Sequence, residues 1–206
     1  MANYFDAGNE LIIDVLKEIG NIGAGNAATS LANMINKKID MRIPKVSVLD
    51  FQDVPTLLGG EEIPVCGIIF ELSGDMAGTI MFILSLDSAK RLVDLMMPGL
   101  MQGEMDEMSL SAIKEVGNIL SGSYISSLSG LTNLKINMSI PLVAIDMAGA
   151  ILSVPAVQFG LVGDKILIIE NQFFEEPSDD AVHGFFFLIP DIDSYDSLFG
   201  SLGISL

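Results

Sequence analysis

The chain has 206 residues, half of them hydrophobic, with mean hydropathy +0.53 and net charge −17 from 27 acidic and 10 basic side chains. So acidic a surface repels polyanions, which argues against nucleic acid and anionic membrane and favours a protein partner with basic residues near its own site. The longest apolar runs, such as Ile80 to Leu84 and Phe185 to Ile189, fall far short of the ~20 residues that cross a bilayer, so they read as buried strands and no membrane insertion is expected. The opening Met-Ala-Asn-Tyr-Phe-Asp shows no leader pattern. Cys66 is alone, which excludes an internal disulfide and fits a cytoplasmic protein.

Residues 9 to 35 read as a helix: Leu11, Val15, Leu16, Ile19, Ile22, Leu31 and Met34 recur at helical spacing. Asn9 is its candidate cap, and Glu10 and Asp14 suit the first turns. A Lys-containing turn and a strand from Lys45 to Leu49 follow. Val65 to Leu72 and Gly78 to Leu84 flank Ser73-Gly74-Asp75 and read as a hairpin. A helix over Asp87 to Met97 closes the first half, and Pro98 to Glu107 is the linker.

The second half repeats this order. A helix runs from about Ser109 to Leu131, with Ser109 or Ser111 as its cap. A strand covers Leu142 to Ile145, and a hairpin pairs Lys165 to Glu170 with Gly184 to Ile189 around an acidic loop at 175–180. The closing helix spans Asp193 to Leu202. The expected fold is therefore α/β, with two pseudo-twofold-related helix–strand–hairpin–helix halves, about 9–98 and 107–206, forming an α/β sandwich. All 206 residues belong to this single domain.

One phrase carries the duplication. Asp14, Lys17, Glu18, Gly20, Asn21, Ile22 and Gly25 recur 97 positions later as Ser111, Lys114, Glu115, Gly117, Asn118, Ile119 and Gly122. The register holds through Asn36/Asn133 to Pro44/Pro141. On a helix, Asp14, Glu18, Asn21 and Gly25 share one face, as do Ser111, Glu115, Asn118 and Gly122. A duplicated fold needs only its apolar pattern repeated. Here a Glu and an Asn are repeated with it, and Asn is a mediocre helix former. Gly20, Gly25, Gly117 and Gly122 each cost about 1 kcal/mol against Ala, so they are candidate points of close backbone approach. Helix packing inside the protein is the other explanation.

Glu accepts hydrogen bonds, pairs with Lys or acts as a base, while Asn orients water without readily taking its proton. The combination suits hydrolysis of an already activated bond, where positioning supplies most of the barrier reduction. Gly23-Ala24-Gly25-Asn26-Ala27-Ala28 also matches G-x-G-x-x-A. A dinucleotide fingerprint needs a strand before it and a helix opening at it, whereas these glycines lie inside a helical pattern. With one His and one Cys there is no zinc set, and no Ca²⁺-loop spacing occurs, so no metal site is expected.

At the paired stripes the sequence resembles the CheC-type chemotaxis phosphatases (the CheC/CheX/FliY family). That family's pattern is Asp or Ser, three residues, Glu, two residues, Asn, twenty-two residues, Pro. Asp14, Glu18, Asn21 and Pro44 match it, and so do Ser111, Glu115, Asn118 and Pro141. The resemblance implies a hydrolase acting on the aspartyl phosphate of the response regulator CheY. In it the catalytic residues Glu18, Asn21, Glu115 and Asn118 are supported by Asp14, Ser111, Pro44 and Pro141. Each Asn places the attacking water, and each Glu pairs with a regulator Lys. The chain would need no cofactor of its own, since Mg²⁺ belongs to the regulator. A second implied partner is the receptor deamidase CheD, bound by a monomer or in a heterodimer. A non-catalytic adaptor that binds and regulates CheD is the alternative. Two motifs argue against the CheX type, and at this length no C-terminal switch domain of the FliY type is expected.

Overall fold

The computed structural model describes residues 9–99, 105–159, 165–175 and 181–203. The elements follow in chain order: α1 (Asn9–Ile35), β1 (Ile39–Asp50), a 3-10 turn (Phe51–Asp53), α2 (Val54–Leu57), β2 (Pro64–Gly74), β3 (Gly78–Ser85), α3 (Leu86–Met96), α4 (Glu107–Thr132), β4 (Ile136–Met138), β5 (Leu142–Met147), α5 (Ala148–Phe159), β6 (Lys165–Glu175), β7 (Ala181–Pro190) and α6 (Ile192–Ser201). Both expected halves are present. Residues 100–104 of the expected linker, and 176–180 of the expected acidic loop, lie outside the described residues.

The strands form one antiparallel sheet in the order β1-β6-β7-β3-β2-β4, with β5 also on β2. Each repeat keeps its hairpin, β2–β3 or β6–β7, and gives its leading strand to the other repeat's hairpin. β1 pairs with β6, while β4 and β5 both pair with β2. At the sheet centre Met81 lies opposite Phe187, its own counterpart in the second hairpin, so a pseudo-twofold axis passes between them.

Strand side chains alternate between two cores, as a period of two requires. Cys66, Ile68, Phe70 and Leu72 of β2, with Ile80, Phe82 and Leu84 of β3, pack under α1, α3, α4 and α6. Val65, Met81, Ile83, Ile168 and Phe187 face the other way, against Val54 of α2 and Ala148, Ile151 and Leu152 of α5. Each of the Val, Leu, Ile, Phe and Met side chains among them, taken from water to the interior, contributes about 1.5–3 kcal/mol. The sandwich thus has a thick helical layer on one side and a thin one on the other. The thin layer was not anticipated. Pro155 lies inside α5, and Pro usually breaks a helix interior. Yet Ala148, Ile151, Leu152 and Pro155 fall at i, i+3, i+4 and i+7 and are all buried.

Helix ends explain some repeated polar residues. Asn36 (φ 52°) and Asn133 (φ 57°), 97 positions apart, are the only non-glycine residues with positive φ among those described. They turn the chain out of α1 and α4 in the left-handed conformation that Asn tolerates. At the start of α4 the cap is Asp106, neither Ser109 nor Ser111. Its Oδ1 accepts from the Ser109 N–H at 2.8 Å and from the Ser109 hydroxyl at 2.7 Å. The carboxylate satisfies donors that the first helical turn leaves without partners.

The long helices pack against each other and the sheet through missing side chains. A Cβ on Gly23 would come within 2.7 Å of the Tyr124 ring, and one on Gly117 within 2.8 Å of Ile68. Gly23 of α1 thus meets Tyr124 late in α4. Asn118, early in α4, shares a cleft with Thr29 and Ser30 late in α1. The helices are therefore antiparallel and cross near Gly25 and Gly122. Tyr124 is further held by its hydroxyl, which donates to Asn171 Oδ1. Asn171 Nδ2 donates in turn to the Ile169 carbonyl at 2.9 Å, and the Tyr124 and Phe186 ring centroids lie 4.4 Å apart.

Two outcomes follow for stability. Gly117→Ala forces a methyl into Ile68 and should destabilise by about 1–3 kcal/mol. Gly25→Ala meets nothing within 4 Å and should stabilise by up to about 1 kcal/mol; urea unfolding would rank the two. The bonds from Ser109 lower the Asp106 pKa, so its contribution is present above the ordinary aspartate range and is lost as pH falls through the lowered value. Asp106→Ala should therefore lower the melting temperature near neutrality, with the gap from wild type closing in acid.

Candidate functional site

α1 and α4 turn their repeated stripes outward. Asp14, Glu18, Asn21 and Gly25 are all exposed along α1; on α4 Ser111 and Glu115 are exposed, while Asn118 and Gly122 are half-buried. The helical register does this unaided. Leu16, Ile19 and Ala27 on α1, with Ile113, Val116 and Leu120 on α4, point into the core and turn the residues between them to the surface.

The supporting positions differ between the copies. Asp14 lies 3.5 Å from Lys17 in an exposed ion pair. Its counterpart Ser111 instead donates its hydroxyl to the Glu107 carbonyl at 2.9 Å. The motif prolines act on the sheet. The β1 register shifts between Arg42 and Lys45, around Pro44, and Pro141 falls in the break between β4 and β5. Without an N–H, Pro interrupts a ladder and is confined to edges and bulges.

The glycines have separate duties. Gly117 seats α4 on Ile68 and Phe70 of β2, and Gly20 is buried. Both are buried, so they do not open the surface to a partner, and at Gly117 a Cβ would meet Ile68, so that glycine serves packing inside the protein. A Cβ on Gly25 or Gly122 would meet nothing within 4 Å, so these two leave bare backbone on the outward face.

Between the helices lies a polar cleft of about 500 Å³, lined by Asn118, Gly122 and Ser126 of α4 and by Asn26, Thr29 and Ser30 of α1. Thr29 and Ser126 occupy equivalent positions in the two repeats, so the cleft straddles the pseudo-twofold axis. The hydroxyl side was missed in the sequence, although Ser30/Ser127 marks it in register. Asn21 and Asn118 each precede the crossing by four residues on antiparallel helices. They are thus displaced by about 12 Å along the pair, at ~1.5 Å per residue. The arrangement is two stations and not one joint centre.

Each station is a carboxylate and an amide on a helix surface, with the half-exposed apolar Ile22 or Ile119 beside them; Asn21 is exposed to solvent, whereas Asn118 stands at the edge of the open inter-helix cleft. Among the described residues no group of three or more His, Cys, Asp or Glu side chains converges to hold a metal ion, and no helix is long and apolar enough to cross a membrane. Such a surface does not enclose a small substrate. It can be inserted into a concave site on another protein, where the amide would orient a water molecule and the carboxylate would meet a cation.

Comparison with known proteins agrees with this geometry. The profile of the CheC-like family matches residues 11–48 and 108–144, the two motif helices with the strands that follow. The chain is 36% identical to the CheY-P phosphatase CheC of Bacillus subtilis (strain 168) over 209 aligned residues, 98% of this chain and 99% of that one. It is 29% identical to the flagellar motor switch phosphatase FliY of the same organism, a match covering 65% of this chain and 35% of that longer protein. The crystal structure of Thermotoga maritima FliY superposes with a TM-score of 0.72 at 26% identity, covering 93% of this chain and 95% of that one. With 36% identity across essentially both full chains and the family profile falling on both motifs, this chain belongs to the CheC-like family.

Proposed function

We propose that the protein is a phosphatase that accelerates hydrolysis of the aspartyl phosphate on the response regulator CheY. The observation carrying this reading is the outward presentation, in two antiparallel helices, of the same Glu-x-x-Asn pair. Kinship with a protein named as a CheY-P phosphatase supplies the substrate. An acyl phosphate is already an activated bond, so a catalyst needs chiefly to place water in line with it and exclude alternatives. Asn21 and Asn118 would each fix such a water through the amide oxygen and nitrogen. Glu18 and Glu115 would hold the helix in register by pairing with a regulator Lys. Mg²⁺ would stay with the regulator, whose phosphoryl group it neutralises. The pseudo-twofold relation gives the protein two such stations. The deamidase CheD is a second proposed partner, taken up by a monomeric chain to give a heterodimer.

The double substitution Asn21→Ala/Asn118→Ala should slow phosphate loss from phosphorylated CheY by about 100-fold or more, towards the regulator's own rate. Circular dichroism should be unchanged, because both side chains point away from the core. Each single variant should retain the activity of the other station. A double variant hydrolysing at the wild-type rate would refute the mechanism. Glu18→Gln/Glu115→Gln should instead weaken association by roughly tenfold, the loss shrinking in high salt; titration of the regulator at two ionic strengths would measure it.

A further inference from the structure

This inference rests on the function proposed above and adds a contact to the same two stations. We infer that Lys17 and Lys114 are docking cations, which meet the anionic rim around the partner's phosphorylated aspartate and recruit it to Asn21 and Asn118.

The position is selective. The chain has only ten basic residues against 27 acidic ones; four of the ten fall at repeated positions, Lys17/Lys114 and Lys38/Lys135, and of these pairs the first alone stands one helical turn before each Asn. Residues four apart on a helix share a face, so each ammonium stands beside the amide that places the water. Both lysines are exposed; the Lys17 side chain keeps half of its surface in solvent. Neither is committed to the fold. Among the described residues Lys17 pairs with Asp14 alone, at 3.5 Å, and an exposed pair of this kind contributes at most about 1 kcal/mol. At Lys114 that acid is replaced by Ser111, whose hydroxyl is turned to the Glu107 carbonyl.

Electrostatics gives the position its purpose. The regulator's site is mixed in sign: its Lys would meet Glu18 or Glu115, whereas its phosphoryl group repels a body of charge −17 from beyond contact, and screening removes only what acts past about 8 Å at physiological salt. A cation beside each catalytic Asn reverses the sign of the field where the surfaces must meet. Lysine, a hydrated point charge on a flexible stem, suits such a rim contact better than a rigid hold on the reacting group. Its loss should therefore fall on association and leave the chemical step alone.

The test compares Lys17→Ala/Lys114→Ala with a control of equal charge change, Lys45→Ala/Lys135→Ala, exposed lysines on β1 and beside β4. Phosphorylated CheY is the substrate, and binding to beryllofluoride-loaded CheY is measured alongside. The motif double variant should raise KM and Kd by roughly fivefold at low ionic strength, with kcat within about twofold and a flatter salt dependence of kcat/KM. Lys→Glu at both positions should weaken binding further, and Lys→Arg should restore it. Unchanged KM and Kd, an equal effect from the control, or a loss confined to kcat would overturn the inference. If wild type bound the regulator but hydrolysed nothing, the phosphatase reading would fall while the Kd comparison still judged the lysines.

Discussion

Tyr124 is wedged between the two long helices, its ring against the bare backbone of Gly23 and its hydroxyl on the buried amide of Asn171. Burying a ring of this size contributes about 2 kcal/mol, and its hydrogen bond about 1 kcal/mol more. Removing it would also leave a buried amide without its donor. Burial likewise raises the phenol's pKa, which keeps it the neutral donor that Asn171 requires. This seat sets how closely α1 and α4 approach and at which residues they cross. The separation of the two stations, the polar cleft and the outward turn of each Glu and Asn all follow from that crossing.

The repeats meet their twofold constraint with unlike residues. The counterpart of Gly23 is Leu120 and that of Tyr124 is Ala27, both counterparts fully buried. One side of the crossing thus combines the smallest residue with a ring, and the other a branched chain with a methyl. A close-packed interior tolerates such exchanges when total volume is kept. The Gly23/Leu120 and Ala27/Tyr124 differences between the repeats are thus a matter of core volume. At the sheet centre Met81 opposes Phe187, another unlike pair placed across the axis.

Much of this was legible in the sequence because helical and strand periods are local. The two stripes, both hairpins and the closing helices fall where their apolar spacing puts them. The cap of α4 was misplaced by three residues, since Asp106 lies in linker-like sequence and Ser109 is equally able to cap. α5 was missed because Pro155 suppresses a helical reading that burial on the sheet overrides. The exchange of leading strands was not legible at all: β1 and β5 have the same character whichever hairpin they join, and only tertiary packing decides. The duty of each glycine was hidden for the same reason. Gly25 and Gly117 look alike in sequence, yet one faces open space and the other Ile68.

The exchanged strands also bear on how the chain comes to be made. β1 is complete by residue 50, but its partner β6 begins at residue 165. When the first repeat leaves the ribosome, its hairpin lacks an outer neighbour and β1 has none. The sheet can close only after the second repeat has emerged. Pairings so distant along the chain carry a loop-closure cost before they return any contact energy, and they form late. Until then an apolar strand edge is open to other chains. The bulge around Pro44 in β1 and the interruption at Pro141 between β4 and β5 fall on these two outermost strands, where they shorten the regular ladder that a stray strand could join.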